Sequence, residues 1–498
     1  MSPDGRFVNE IASFIESQKS ISLKPSDYSL LGNIFFYKKD YKKSAYYYRI
    51  ENNIKKYYAL GYSLFRTNNK SDAVHYLKEY AYNFPKSKNA RWALYYAGAC
   101  TPSYMRKSFW EKATKDIPTL AYYTIYKEAL SEEYPRKRVK LLNNFIAQYP
   151  NCEFTLDAVW EIMWQKILDK DFNNAEEIGK KYFNSISEIS ETRAKVGFWL
   201  GKIAEIKNQK DKATEYYKLV KDLLPDNYYS HRASGRLMAL TGAKDENWKL
   251  QSSINDFENF TWSIPSIIKP ETLKRHFGAT IAELISLQEF DEAIDLIGKS
   301  NFPSKQITSW LKALNNEYET SINTASSLIT AYNLKQTSPV WELAYPLHFW
   351  QYVKNTCKKY NDLDPLFVCG LIRQESRFEA NATSISNAYG LMQLIFPTAK
   401  TVSRQLNFNL NSSELLFNPK VNIELGANYI NGLLKDFSNP LFAVASYNAG
   451  PNATKQWISN FRNKDLDFFV EEIPYEQTRT YVKKVFSSYW TYLMLYKK

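Results

Sequence analysis

The stretch 364–397, DPLFVCGLIRQESRFEANATSISNAYGLMQLIFP, decides how the rest of the chain is interpreted. Its apolar first third predicts a helix from about Pro365 to Phe378, because proline is tolerated in the first turn of a helix. Glu375 therefore falls near the end of a mostly buried helix. A polar loop of small residues, 379–389, follows and leads through Gly-Leu-Met-Gln at 390–393 to a second helix that opens with proline.

This order of residues predicts a groove with an acid in its wall. A loop of small residues lets a polymer approach the backbone, and the amide of Gln393 can both donate and accept hydrogen bonds. An isolated glutamate on a helix is otherwise a solvated surface residue. The interpretation of Glu375 therefore depends on the blocks of sequence around it.

Four separated blocks resemble, in the same order, the catalytic domain of the soluble lytic transglycosylases, which has a lysozyme-like fold. They are LAYP at 343–346, the helix-Glu-Ser motif that continues through Ser384 to Gly-Leu-Met-Gln, ASYNAGP at 445–451, and Ile-Pro-Tyr, Thr-Arg and Tyr-Val within 473–482. The resemblance implies a peptidoglycan-cleaving enzyme.

Composition places limits on the fold and its partners. At 498 residues, two or three domains are expected, and 44% hydrophobic with 23% charged residues is typical of a globular protein. A net charge of +13 favours an anionic partner: nucleic acid, anionic lipid or a carboxylate-bearing wall polymer. No nucleic-acid-binding signature accompanies it, so nucleic acid is not expected. No apolar run is long enough for a membrane span.

The cysteines and histidines give no sign of a metal site. Cys100, Cys152, Cys357 and Cys369 are scattered without CxxC spacing, which favours small buried hydrophobes, although Cys357 and Cys369 could come close. The four histidines lack metal-ligand spacing, so neither a metal nor another cofactor is expected.

The first two thirds of the chain, from about residue 7 to 335, predicts helices almost throughout. A unit recurs in which an apolar helix, a turn rich in Lys, Asn and Asp, and a helix with alanine in its first turn follow one another, which is typical of helix-pair repeats. The alanines are Ala45, Ala73, Ala175, Ala213 and Ala293.

The fold class expected is therefore all-α. The long soluble transglycosylases that the chain resembles imply an N-terminal α-superhelical domain at 1–245, a helical linker domain at 246–335 and a lysozyme-like catalytic domain at 336–498. The loop-rich interval 241–270 is interpreted as a hinge. Without the family, the superhelix would be a general scaffold for protein interactions.

The chemistry of the motif is that of a single acid. Ordinary glycosidases use two carboxylates, and here only Glu375 lies in the motif; Glu379, one turn further, is interpreted as a solvated charge. The resemblance implies that Glu375 first protonates the glycosidic oxygen and then, as carboxylate, accepts a proton from the 6-hydroxyl of N-acetylmuramic acid. The product would be a 1,6-anhydro sugar.

The resemblance also assigns polar contacts to the substrate. Ser384, Gln393 and Met392 line the groove near the cleavage point, and Tyr447 faces the acid. Asn448 also matches a motif position and is counted among the substrate-binding residues, although a structural role in the turn before Gly450 and Pro451 is favoured. The aromatic residues of the last helix, Tyr481 among them, are interpreted as core packing.

Two positions depart from the family pattern. Asn387 stands where a glycine is usual, and asparagine also tolerates the left-handed conformation. Gln477 stands where a glutamate that lines the groove is common, so it keeps hydrogen-bonding reach and loses charge.

Three functions stay open at this point: a lytic transglycosylase, a lysozyme-type hydrolase with a second carboxylate, and an inactive binding or scaffold protein. The expected partners are peptidoglycan glycan strands, and the superhelix is expected to bind cell-wall proteins as well. The protein is expected to be a monomer. The location implied is the periplasm, although residues 1–18 lack the apolar core of an export signal.

Overall fold

The computed structural model describes residues 24–185, 189–251, 254–300, 304–360, 363–384, 386–461 and 465–497. The N-terminal segment that was searched for an export signal lies outside them. The regular secondary structure of the described chain is helical apart from one short β-hairpin, so the predicted all-α class is confirmed. None of its helices combines the length and hydropathy that crossing a bilayer requires.

The chain forms two compact units. The described residues of the first unit are 24–185 and 195–203, and those of the second are 189–194 and 204–497. The domain boundaries at 245/246 and 335/336 stay predictions.

The helices of the first unit are α1 (Pro25–Tyr37), α2 (Tyr41–Glu51), α3 (Tyr57–Arg66), α4 (Lys70–Asn83), α5 (Ala90–Cys100), α6 (Arg106–Asp116), α7 (Ala121–Leu130), α8 (Pro135–Gln148), α9 (Thr155–Leu168) and α10 (Phe172–Ser185). Helix α11 (Glu191–Ile206) contributes residues to both units. Short 3-10 helices occur at Ile54–Lys56, Ser103–Met105 and Pro118–Leu120.

The second unit continues with α12 (Lys210–Lys221), α13 (Tyr228–Leu240), α14 (Pro270–Phe277), α15 (Ala279–Ser286), α16 (Phe290–Lys299), α17 (Lys305–Leu314), α18 (Tyr318–Tyr332), α19 (Val340–Ala344), α20 (Trp350–Cys357) and α21 (Pro365–Glu375). The hairpin strands β1 (Ala388–Tyr389) and β2 (Leu394–Ile395) precede α22 (Phe396–Gln405), α23 (Pro419–Phe437), α24 (Pro440–Ala449), α25 (Pro451–Asn460), α26 (Leu466–Glu472) and α27 (Glu476–Tyr496). Ile254–Phe257 and Ser413–Phe417 are 3-10 helices.

The predicted helix pairs share one turn geometry. Two residues after the first helix of each pair ends, one residue has a left-handed backbone with φ between 57° and 62°. A small side chain that is at most 1% exposed follows five residues later. The turn residues are Lys39, Asn68, Lys170, Asn208, Gln288 and Asn316. The small residues are Ser44, Ala73, Ala175, Ala213, Ala293 and Ser321.

The first and the last of these six helix pairs differ from what the sequence predicted. In the first pair Ser44, rather than Ala45, occupies the close contact, and its hydroxyl donates to the Gly32 carbonyl over 3.0 Å. The sixth pair, α17 and α18, was not predicted because Ser321 occupies the close contact and, unlike Ser44 with its neighbour Ala45, has no alanine beside it. A small side chain, rather than alanine itself, is what the paired helices require.

Helix α21 forms the centre of the predicted catalytic domain. Residues 365–372 are all buried, and the Asp364 side chain accepts a hydrogen bond from the Leu366 amide, which caps the helix. At Gly370 the helix meets α27 so closely that an added Cβ would lie 3.3 Å from the Tyr489 amide nitrogen. The backbone of α21 is therefore fixed directly against that of α27.

The helix is three residues shorter than predicted. It ends at Glu375, and both Arg377 and Phe378 have left-handed backbones with φ of 51° and 63°. The turn buries Phe378 completely, with its ring 5.6 Å from that of His348. Burial of this ring and the bond from Arg377 Nε to Asn323 Oδ1 (2.6 Å) accompany the early end of the helix.

The interval 241–270 is irregular, as predicted, but some of its residues are bonded to the predicted catalytic domain. The buried ammonium of Lys354 on α20 donates to the carbonyls of Phe257, Glu258 and Phe260 over 3.2–3.3 Å. These bonds hold the segment that was interpreted as a hinge. The four cysteines are free thiols; Cys152 is half-buried and the other three are buried.

Candidate active site

Glu375 lies at the last residue of α21, partly buried, with its carboxyl group in a pocket of tyrosines. Burial disfavours the charged form and raises the pKa of this carboxyl to about 7, against a smaller lowering by a hydrogen bond from Tyr481. A carboxyl group with this pKa is present both as acid and as base near neutral pH. This is the property that general acid–base chemistry requires.

Tyr481 is the direct partner of this acid. Its hydroxyl donates to Glu375 Oε1 over 2.5 Å from the second turn of α27, and its side chain is 5% exposed. The sequence analysis assigned Tyr481 to core packing. It is a buried aromatic residue, as predicted, but hydrophobic periodicity gives no information about the partner of its hydroxyl.

Tyr447 is close to the acid but does not bond to it. Its hydroxyl donates to the Met392 carbonyl over 2.7 Å, while the Glu375 carboxylate and burial both raise the Tyr447 pKa. Tyr447 therefore joins α24 to the backbone at Met392, and its hydroxyl lies within the electrostatic reach of Glu375.

The Met392 side chain packs into the interior of the protein behind this backbone position. Its side chain is fully buried against Gly426, where an added Cβ would lie 2.3 Å from the Met392 sulfur. Its amide donates to Asn422 Oδ1 over 2.7 Å. Met392 thus contributes backbone position, and a contact of its side chain with substrate stays a prediction.

Gln393 and Ser384 fix the loop and the β-hairpin. Gln393 Nε2 donates to the carbonyls of Ala382 (3.1 Å) and Gly390 (2.8 Å), and the Ser384 hydroxyl oxygen accepts from the amides of Ser386 (3.2 Å) and Ala388 (3.0 Å). Asn387 adopts the left-handed conformation with φ of 55°, so this departure from the family pattern keeps the expected backbone. The side chains of Ser384 and Gln393 remain partly exposed.

The other two predicted site residues lie on or beside α27. Asn448 Oδ1 accepts from the Thr478 hydroxyl over 2.7 Å, which joins α24 to α27 and agrees with its structural interpretation. Gln477 is exposed in the first turn of α27. Its contact with substrate stays a prediction.

No second carboxylate acts on Glu375 in the described part of the chain: burial and Tyr481 are the two causes of its pKa shift. Glu379 is half-buried beyond the helix end, and its charge raises the pKa of Tyr318 rather than that of Glu375. Groups of three or more side chains able to hold a metal ion are absent from the described residues. The arrangement thus offers one acid among neutral hydroxyls.

Two charged groups that the sequence analysis did not single out support this geometry. Arg373, half a turn before the acid, donates to the Ala344 carbonyl over 2.8 Å and to the hydroxyls of Ser326 and Ser488 over 3.2 Å. Lys483 on α27 pairs with Glu471 on α26, and both are buried. Neither residue type carries a local sequence signal for such a role.

Comparison with known sequences finds similarity in the region that contains Glu375. Residues 351–469 match the family model of the transglycosylase SLT domain. A putative soluble lytic murein transglycosylase of Haemophilus influenzae is 34% identical over 158 residues, 31% of this chain and 26% of that protein. The soluble lytic murein transglycosylase of Escherichia coli K12 is 33% identical over 150 residues, 27% of this chain and 23% of that protein. The similarity thus spans about a quarter of each relative's length.

Two of the solved structures that resemble this chain cover most of its length. An inactive mutant of the lytic transglycosylase Slt from Pseudomonas aeruginosa superposes with a TM-score of 0.47 at 18% identity, covering 98% of this chain and 89% of that one. The 70 kDa soluble lytic transglycosylase of Escherichia coli gives a TM-score of 0.49 at 15% identity, covering 98% and 85%. By sequence, residues 351–469 of this chain are similar to the transglycosylase SLT domain, and the same region is similar to the soluble lytic murein transglycosylases.

Proposed function

We propose that the protein is a peptidoglycan lytic transglycosylase that cleaves the β-1,4 bond between N-acetylmuramic acid and N-acetylglucosamine, with Glu375 as its single acid and base. One observation carries the proposal. The carboxyl group of Glu375 has a pKa raised to about 7, one tyrosine hydroxyl on Oε1 and no second carboxylate among the groups that shift its pKa. The similarity of the SLT domain to murein transglycosylases supports the substrate class.

In the first step the protonated Glu375 acts as a general acid. Tyr481 occupies Oε1, so Oε2 is the oxygen that carries the transferable proton. The proton moves to the bridging oxygen as the bond from that oxygen to C1 of the muramic acid breaks, and N-acetylglucosamine leaves with a free 4-hydroxyl. The substrate's own N-acetyl carbonyl stabilises the positive charge that develops at C1, a task that needs no second protein carboxylate.

In the second step Glu375 acts as a base. Its carboxylate accepts the proton of the 6-hydroxyl while the oxygen of that hydroxyl forms a bond to C1, which closes the 1,6-anhydro ring and returns Glu375 to its acid form. No water is consumed. A group with a pKa near the ambient pH serves both steps with little penalty in either direction.

The surrounding residues position the sugar. The side chains of Ser384 and Gln393 stay partly exposed while their bonds hold the loop, and the Tyr447 hydroxyl lies within the electrostatic reach of the acid. We assign them substrate contacts, together with Gln477 at the start of α27. The predicted superhelical, linker and catalytic domains and a periplasmic location are part of the same proposal.

The alternative in the same fold is a hydrolase of lysozyme type. It would need a carboxylate to position water on the opposite face of the sugar. Among the described residues, none affects the pKa of Glu375 in that way.

Product analysis tests the proposal. Purified peptidoglycan is digested with the protein, and the soluble muropeptides are examined by mass spectrometry. We expect 1,6-anhydro ends, each 18 Da, one water molecule, lighter than its hydrolysed counterpart. Reducing ends as the main product would make the protein a hydrolase, and no release of muropeptides by the folded protein would favour a binding or scaffold role.

A further inference from the structure

A buried polar cluster lies behind the candidate acid, on the far side of α27. Lys483 Nζ donates to both oxygens of Glu471, over 2.9 and 2.8 Å, and to the hydroxyl of Tyr229 over 2.7 Å. The same hydroxyl donates to Glu471 Oε1 over 2.7 Å. The Lys483 and Glu471 side chains are 8% and 4% exposed, so three elements, α13, α26 and α27, meet at one desolvated ion pair.

Such a pair contributes geometry more than net stability. The cost of removing two charges from water offsets most of their attraction, whereas separating them inside the protein leaves a buried charge without a partner. Movement of α27 relative to α26 is therefore strongly opposed. The guanidinium of Arg479 restrains the same turn by donating to the carbonyls of Glu471 (3.2 Å) and Ile473 (3.3 Å).

The cluster and the acid are connected through α27. Lys483 follows Tyr481 by two residues, a rotation of about 200° around a helix, so the two side chains point to opposite sides. Tyr481 bonds to Glu375 on one side and Lys483 bonds to Glu471 and Tyr229 on the other. A rotation or shift of α27 that breaks one set of bonds disturbs the other.

We infer that the cluster of Tyr229, Glu471 and Lys483 sets the position of α27 and thereby holds the Tyr481 hydroxyl on Glu375. Lys483 and Glu471 are then positioning residues for the proposed reaction, because neither reaches the acid itself. The inference rests on the proposed function and adds residues outside the substrate groove to it.

The expected effect has a defined sign. Among the described residues, two titratable groups interact with the Glu375 carboxyl: Tyr481 from α27, which bonds to it, and Tyr447 from α24, which bonds to the Met392 carbonyl. The bond from Tyr481 lowers the pKa of Glu375 against the effect of burial. Loss of this bond raises that pKa, so the protonated acid persists to higher pH and the alkaline limb of kcat/KM moves upward.

The test is a double-mutant cycle on the full chain. We expect Lys483→Met to move the alkaline limb upward by about half a pH unit or more, and Tyr481→Phe to move it similarly. In the Tyr481→Phe background, Lys483→Met should move the limb no further, because the bond through which it acts is already absent. Tyr229→Phe, which removes one hydroxyl from the cluster, should give a smaller shift of the same sign.

Tyr492→Phe is the matched control. Its hydroxyl, also buried on α27, donates to the Pro346 carbonyl over 2.8 Å, so its loss should lower the melting temperature and leave the limb in place. Equal shifts from Lys483→Met with and without Tyr481 would overturn the inference. So would an unmoved limb in folded Lys483→Met or, if that variant does not fold, in Tyr229→Phe. A limb that persists in Glu375→Gln would instead refute the proposed function.

Discussion

The two compact units differ most in where their charges lie and what those charges do. The described residues of the first unit contain 29 Lys and Arg against 17 Asp and Glu, a net charge of +12, whereas those of the second contain 31 against 30, a net charge of +1. Nearly all of the chain's excess of +13 thus belongs to the first unit. The second unit instead contains the buried pairs and the acid with a raised pKa.

The exposed charges of the first unit can attract an anionic partner, whereas the buried charges of the second unit position its helices and the candidate acid. Exposed lysines such as Lys55, Lys88, Lys112 and Lys140 in the first unit create a field that reaches about one Debye length into solution. In the second unit, Arg232 lies between Asp467 and Asp245, with bonds of 2.7–3.0 Å, and its side chain is 1% exposed. Charges paired in this way fix helices and attract nothing from solution.

The largest expected effect tests the chemical side of the comparison. Glu375→Gln keeps the shape of the site and removes its proton donor, so turnover of purified peptidoglycan should fall by about a thousandfold or more. Release of soluble muropeptides measures turnover, and Glu379→Gln, four residues further along and beyond the end of the helix, should retain activity. A Glu375→Gln variant with a tenth of the original rate would contradict the assignment.

A smaller effect tests the electrostatic side. Changing Lys55, Lys88, Lys112 and Lys140 to glutamate should weaken binding of the protein to purified sacculi by about tenfold at low salt, with the difference lost at high salt. Pelleting of the Glu375→Gln protein with sacculi measures binding without turnover.

The matched control places the same charge change in the second unit. Lys212, Lys218, Lys274 and Lys335 are also exposed, and their change to glutamate should weaken binding less. If both sets weaken binding to sacculi equally, binding depends only on the total charge of the protein. The uneven distribution of charge between the two units would then have no role in binding.

The smallest expected effect concerns stability. Because the pKa of Glu375 is raised in the folded state, folding binds a proton between the unfolded value near 4.5 and the folded value of about 7, and stability is lost as the pH rises through that window. Glu375→Gln removes this loss. Its melting temperature should exceed that of the original protein by about 2 to 4 °C at pH 8 and by only a small part of that at pH 5.

Calorimetry at both pH values measures this difference. An equal increase at pH 5 and pH 8 would show that the gain comes from packing rather than from the ionised carboxylate. The same scan of Glu379→Gln should show no dependence on pH of this size.

Local sequence pattern predicts Glu375 as the candidate acid together with the helix that carries it, but not the tyrosine whose hydroxyl bonds to its carboxyl group. Glu375 follows a buried apolar run and precedes a recognisable loop, so local pattern was sufficient. Tyr481 lies in an aromatic helix whose periodicity indicates burial only, and its hydroxyl meets Glu375 across 106 residues of sequence. A contact of that range depends on tertiary packing, which one sequence does not specify.

The repeats show the same limit on a smaller scale. Five of the six paired-helix turns could be predicted from an alanine and a polar turn, because these are local features. The turn at Asn316 was missed since serine replaces alanine at residue 321, and the structural requirement is size rather than residue type. Lys483 gave no signal at all, because a lysine on a helix is normally solvated.

The position of α27 in the chain has a consequence for synthesis. Every other part of the site, from α13 to α26, precedes α27 in sequence, so a ribosome produces Glu375 about one hundred residues before it produces Tyr481. Until α27 docks, the acid lacks its hydroxyl partner and Glu471 lacks its lysine. A chain truncated before α27 would lack both Tyr481 and Lys483, so it could complete neither the bond to Glu375 nor the buried pair with Glu471.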